Sequence, residues 1–200
     1  MATRLTADGQ MPEKYGMILR AATKVFARNG FFNSKVADVA KAAGVADGTV
    51  YLYFKNKEDI LISIFNDTMS RVLADLKVEL ETIPDPKDQL RHVAVSHLTR
   101  MSRDRNLAIV FQVELRQSTK FMEQFSATKV AEYFDLIGKI ITDGQAKGLF
   151  RAQLNPKIVT KVFFGALDEM ATNWILSRKK YDLVAVADSI LDLFFNGVLA

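Results

Sequence analysis

The chain has no cysteine in 200 residues. That excludes a disulfide scaffold, thiol catalysis and cysteine-based metal sites. Four prolines and 10 glycines are too few for a loop-rich or low-complexity chain. The two histidines, His92 and His97, are five residues apart, which is not the spacing of metal ligands on one helix face. Nothing in the sequence matches a Gly-rich phosphate loop, a nucleophile elbow or an HExxH motif. The expectation is therefore no enzyme, no metal and no cofactor. No apolar run approaches the length of a membrane span, and Met1 to Met11 lacks the apolar stretch of a signal peptide. A cytoplasmic protein with no membrane partner is expected.

What is present is apolar residue and placed charge. Hydrophobic residues make up 49% of the chain and charged residues 25%, enough to bury a core beneath a solvated surface. The net charge of +4 is modest, but its position is not. Residues 1–57 hold nine Lys and Arg against four acids (Asp8, Glu13, Asp38 and Asp47), an excess of five. The remaining 18 basic and 19 acidic residues leave an excess of one acid. The whole surplus sits in the first quarter of the chain, as it would if that quarter met a polyanion.

Helical periodicity runs through nearly every segment, and the fold class is read as all-α. Ile18, Ala22, Val25 and Phe26 form one stripe, stopped by Asn29-Gly30. A short helix follows Ser34, a candidate N-cap, and breaks at Gly44; another runs from about Ala46 to Phe54. A long helix from Asn56 to about Thr82 ends at Pro84 and Pro86. Further helices are predicted over 87–103, 106–118, 121–147, 157–177 and 182–198. A domain boundary falls inside the helix that starts at Asn56, so the two parts share an element and have no flexible linker.

The block from Ser34 to Lys57, SKVADVAKAAGVADGTVYLYFKNK, reads as a helix-turn-helix. Val39, Ala40, Val45, Val50 and Phe54 can pack it on Val25 and Phe26, leaving Asp47, Gly48, Thr49, Tyr51 and Tyr53 outward. Such a surface suits DNA. Gly48 permits close approach, Thr49 and the tyrosine hydroxyls can bond phosphate, and Tyr51 can stack on bases or sugars. Lys57, at a helix start, is positioned for a phosphate.

Ala42-Ala43-Gly44-Val45, then Gly48 to Phe54, then Lys57 to Leu61, with Gly30-Phe31 upstream, resemble the signature of TetR-family transcriptional regulators over about residues 15–62. The resemblance implies a DNA-binding unit in residues 1–57, with an N-terminal arm, and a ligand-binding and dimerisation bundle in 58–200. Two departures bear on operator choice. Ala46 stands where the family usually has a capping Ser, and Lys35 replaces a commoner Thr, adding a phosphate contact beside Ser34.

Farther on, Asn106 to Val110, Glu114 to Ser118, Phe164 to Glu169 and Lys180 to Val184 are similar to the acyl-CoA-responsive fatty-acid-degradation regulators of that family (FadR type). This implies a repressor that leaves DNA on binding long-chain acyl-CoA. The residues alone leave a free fatty acid, an aromatic compound or a drug open as effector. An apolar tunnel is expected from Phe111, Leu115, Phe134, Ile137, Ile141, Phe163, Leu167 and Met170, with Trp174 at one end. Arg103 and Arg105, near Arg100, are candidates for the CoA phosphates. Glu114 and Arg116, two apart, must face different ways. The last helix is apolar on more than one side; Val184, Ala187, Leu191, Phe194 and Val198 are candidates for a homodimer interface. A dimer would present two recognition helices to a palindromic operator.

Overall fold

A computed structural model describes residues 13–117, 123 and 129–198. Among these residues the chain is all-α, with nine helices and no strand. Helix α1 (Glu13–Asn29) buries Ile18, Leu19, Ala22 and Phe26 and stops at Gly30, whose N–H bonds back to the Phe26 carbonyl at 2.9 Å. Helix α2 (Val36–Ala43) ends at Gly44, held left-handed at φ 68°. A Cβ would strain that turn, so glycine is required there. Helix α3 (Asp47–Tyr51) is shorter than its sequence pattern suggests, since Leu52 and Tyr53 already turn toward the next element.

Helix α4 (Lys57–Glu81) is capped by Asn56, whose side chain accepts from the Asp59 N–H. Helix α5 (Pro86–Arg103) starts with Pro in its first turn and Asp85 as cap, a position where the missing proline N–H costs nothing. Asp104 caps α6 (Arg105–Gln112), which stops short of the predicted 118 and gives way to a 3-10 turn over Glu114–Gln117. Helix α7 (Lys129–Ala146) falls within the predicted 121–147 stretch, part of which lies outside the described residues, as does Ser118. Helix α8 (Pro156–Leu176) and, after a 3-10 turn, α9 (Ala187–Val198) complete the bundle.

Two apolar cores result. The first joins α1, α2 and α3 with Ile60, Leu61, Ile64 and Phe65 of α4. It also takes in Val110 of α6 and Leu115 of the following turn. The second gathers the rest of α4 with α5, α7, α8 and α9, and includes Ala108 of α6. Helix α6 therefore belongs to both, with opposite faces two residues apart in sequence. No described helix is long and apolar enough to cross a membrane.

Candidate nucleic-acid interface and effector cavity

The α2–Gly44–α3 unit exposes Asp47, Gly48 and Tyr51 and half-buries Thr49 and Tyr53. Leu52, which the apolar pattern did not single out, is 78% exposed. A Cβ built on Gly48 would meet nothing within 4 Å, so the chain's own packing does not demand glycine there. Tyr53 lies edge-on to Tyr15, which stacks on Phe54 at 5.0 Å, so the tyrosine at 53 is braced from beneath. Ala46 caps α3 without any side-chain bond, leaving Asp47 as the only acid in its first turn.

Two expectations are corrected here. Ser34 does not cap α2. It is 2% exposed and its Oγ donates to the Gly30 carbonyl at 2.7 Å, while the cap position falls to the exposed Lys35, whose N–H is accepted by Asp38. Ser34 is thus buried and already bonded within the protomer. Lys57 does not reach outward either. Its Nζ donates to the carbonyls of Phe31, Phe32 and Ser34 at 3.0, 3.0 and 3.1 Å and sits over the Phe31 ring. An ammonium has three donors, and all three are taken.

Behind this unit lies a cavity of about 1270 Å³. Its apolar wall comes from α4 (Ile64, Phe65, Met69, Val72), α6 (Phe111) and α7 and α8 (Phe134, Phe164). Helix α1 also contributes Tyr15, Leu19, Arg20, Thr23 and Lys24, so the unit that carries the helix-turn-helix itself forms part of the cavity. The exposed lining residues Arg20, Lys24 and Arg103 mark a cationic mouth between α1 and the α5–α6 corner. None of those three has an ion-pair partner among the described residues. Arg71 and Arg100, also on the wall, are paired with Asp67 and Asp75.

A polar strip crosses the apolar wall. Arg116 Nη2 bonds both oxygens of Asp168 at 2.7 Å, and Gln112 Nε2 donates to the same carboxylate at 2.9 Å. Thr172 closes the set by donating to the side-chain Oε1 of Gln112 at 3.0 Å. Nearby, His97 has a buried Nε2 with no hydrogen-bond partner among the described residues. Burial lowers its pKa to about 4, against the opposing pull of Asp168, so the imidazole is neutral. Phe164 stands edge-on to His97, Tyr133 and Phe134, making an aromatic end wall. Burial pushes the Tyr133 hydroxyl well above its ordinary pKa.

Of the residues expected to meet a ligand, Arg103, Phe111, Leu115 and Phe134 line this cavity. Ile137, Ile141, Phe163 and Leu167 do not. They are at most 1% exposed and fill the second core. Met170 and Trp174 pack against that core, with the indole N–H donating to the Tyr181 carbonyl. Arg105 turns away from the mouth; its Nη2 donates to the Ile175 carbonyl at 2.6 Å, and its guanidinium lies by the Trp174 ring. It closes the C-terminal end of α8, where cations are favoured. Helical period alone cannot separate a face turned to a neighbouring helix from one turned to a cavity, which is why α4 and α1 were missed.

The dimer residues are corrected as well. Ala187, Leu191, Phe194 and Val198 lie in the protomer's own core, and Val184 is half-buried. On α8 and α9 the large apolar residues left outside are Ile158, Val162, Leu176 and Leu193, all 58–77% exposed.

The chain matches the family model for bacterial regulatory proteins of the tetR family over residues 18–64. It matches the model for the C-terminal region of YsiA-like proteins over 65–197. It is 40% identical over 189 residues to the fatty acid metabolism regulator protein of Bacillus subtilis strain 168, covering 94% of this chain and 97% of that one. Among solved structures, the fatty acid degradation regulator FadR from Bacillus halodurans superposes with a TM-score of 0.90 at 37% identity, covering 94% of this chain and 97% of that one. The Bacillus subtilis FadR in complex with stearoyl-CoA gives 0.88 at 39% identity, covering 92% and 98%.

Proposed function

The chain belongs to the TetR family of bacterial transcriptional regulators, and from that premise we propose that it is a cytoplasmic repressor that leaves its operator when a long-chain acyl-CoA enters the cavity. The observation that carries this reading is the cavity's size together with its division of chemistry. About 1270 Å³ exceeds the ~300–1,000 Å³ of ordinary small-molecule sites. An acyl chain fits the aromatic interior around Phe111, Phe134 and Phe164. The CoA phosphates suit the mouth at Arg20, Lys24 and Arg103, whose guanidinium and ammonium groups have no ion-pair partner among the described residues. A small aromatic effector would leave most of that volume and all of that charge unused. The stearoyl-CoA bound by the Bacillus subtilis relative belongs to the same ligand class.

Operator recognition follows from the exposed face of α3 with Lys35, as a homodimer on a palindromic site. The outer faces of α8 and α9, carrying Ile158, Val162 and Leu193, supply the self-complementary surface that a two-fold interface needs. Because α1 is both wall of the cavity and support of α2, a ligand that fits one position of α1 better than another shifts the operator equilibrium. By linkage, operator must weaken acyl-CoA binding by the same factor.

The test is titration calorimetry of stearoyl-CoA, stearate and CoA, each with and without the protein's own upstream DNA. Stearoyl-CoA is expected to bind tightest, and Arg103→Ala to narrow its advantage over stearate. Equal affinity for stearate and stearoyl-CoA, or an affinity untouched by operator, would sink the effector assignment and leave only the regulator.

A further inference from the structure

We infer that Glu114 is a positioning residue for DNA binding: it and Lys57 grip Phe31 by its N–H and its C=O, and both grips are anchored on segments that wall the effector cavity. The inference rests on the functional reading above for the identity of the effector, though not for the grip itself.

Phe31 sits in the loop between α1 and α2, 1% exposed, with its ring edge-on to Phe26. Its N–H donates to Glu114 Oε2 at 2.6 Å across 83 residues of sequence. Gln117 Nε2 donates to the same oxygen at 3.1 Å. Glu114 is 5% exposed, so its carboxylate is committed to these donors rather than to water. A backbone N–H bonded to a carboxylate is among the stronger hydrogen bonds, and breaking it strands the buried Phe31 N–H. On the other side, Lys57 holds the carbonyls of Phe31, Phe32 and Ser34. Ser34 in turn bonds Gly30, which stiffens the loop between the two grips.

The anchors connect this loop to the cavity. Leu115 and Arg116 follow Glu114 in one 3-10 turn, and both line the cavity, as does Gln112 before it. A ligand that moves Leu115 or Arg116 carries Glu114 with it. Lys57 opens α4, whose Ile64, Phe65 and Met69 are on the cavity wall. The loop passes into α2 at Val36, and α2 meets α3 across the Gly44 turn, where the Val45 N–H bonds the Ala40 carbonyl at 3.0 Å. A displacement of Phe31 therefore arrives at the DNA-facing surface within two rigid elements.

The experiment uses the full chain, as wild type, Glu114→Ala and Glu114→Gln. Amide exchange over residues 30–36 is read without ligand; operator affinity is read by fluorescence anisotropy with and without stearoyl-CoA; stearoyl-CoA affinity is read by calorimetry. In Glu114→Ala, exchange at Phe31 should quicken by about tenfold or more, the loss expected of one strong bond. Stearoyl-CoA affinity of the free protein should stay within about twofold, since Glu114 is not on the cavity wall. The factor by which stearoyl-CoA weakens operator binding should fall from at least about fivefold to below about twofold. Glu114→Gln keeps an acceptor oxygen and should be intermediate, which also guards against a poorly folded alanine variant. Unchanged Phe31 exchange, or an unchanged coupling factor in both variants, would overturn the inference. A wild type that ignores stearoyl-CoA overturns the effector assignment instead, and the grip then stands or falls on the ligand-free exchange and operator affinity alone.

Discussion

The closed interior of the helix-turn-helix and the wall of the cavity are packed to different ends. In the first, Phe26, Phe31, Ile60, Leu61 and Val50 are 0–1% exposed, so large side chains meet large side chains. Around the cavity, which residues of both cores wall, Phe111, Phe134 and Phe164 stay half-buried, giving up packing partners on one side. The first arrangement holds the helix-turn-helix in one shape. The second leaves room for a ligand and makes the wall deformable, because side chains beside a void lose little when they move.

The largest expected effect tests this contrast directly. Phe26→Ala empties a closed site and should cost about 3–5 kcal/mol of unfolding free energy, while Phe164→Ala enlarges an existing cavity and should cost about half as much or less. Urea denaturation of the two variants checks it; equal losses would erase the distinction between closed interior and cavity wall.

A somewhat smaller effect concerns pH in the second core. His97 has its pKa lowered by burial to about 4, below the ordinary 6.5. Neutral His97 therefore favours the folded state fully above about pH 6.5, and that contribution is lost as pH falls toward about 4, because the unfolded chain takes the proton first. Between about pH 7 and about pH 4.5 the wild type should lose about 2–3 kcal/mol more than His97→Gln. Parallel pH curves for the two proteins would mean that His97 is solvated in solution.

The smallest effect distinguishes two lysines of the first region. Lys35→Ala should lower the salt slope of operator binding by about one unit, as loss of one phosphate contact does. Lys57→Ala should leave the slope alone and lower thermal stability, since its donors hold backbone carbonyls. A reduced slope for Lys57→Ala would mean that the lysine leaves its carbonyls on DNA.

The all-α class, the helix-turn-helix and most helix limits were legible along the chain because each depends on neighbours within one or two turns. Gly44 stops α2 through its own backbone, and Pro86 with Asp85 starts α5 by local bonding. The exposed tyrosine at 51 followed from the same short range, since helical period assigns a face once the buried partners Val50 and Phe54 are recognised. The chemistry of the cavity was half legible: aromatic residues and arginines were evident, but their neighbours were not.

What sequence by itself determined, then, is the set of elements and the type of surface each carries, since periodicity, caps and breakers act over a few residues. Tertiary structure decided which apolar face meets a void, a neighbour or a second copy. Leu191 is fully buried and Leu193 is 77% exposed, though one pattern covers both. It also decided what each charge is for. Lys57 and Arg105 resemble phosphate ligands in sequence, yet both end on backbone carbonyls. The physical reason is that a lone cation satisfies whichever oxygen the fold brings within reach, and no local rule specifies a partner 70 residues away, as Ile175 is from Arg105.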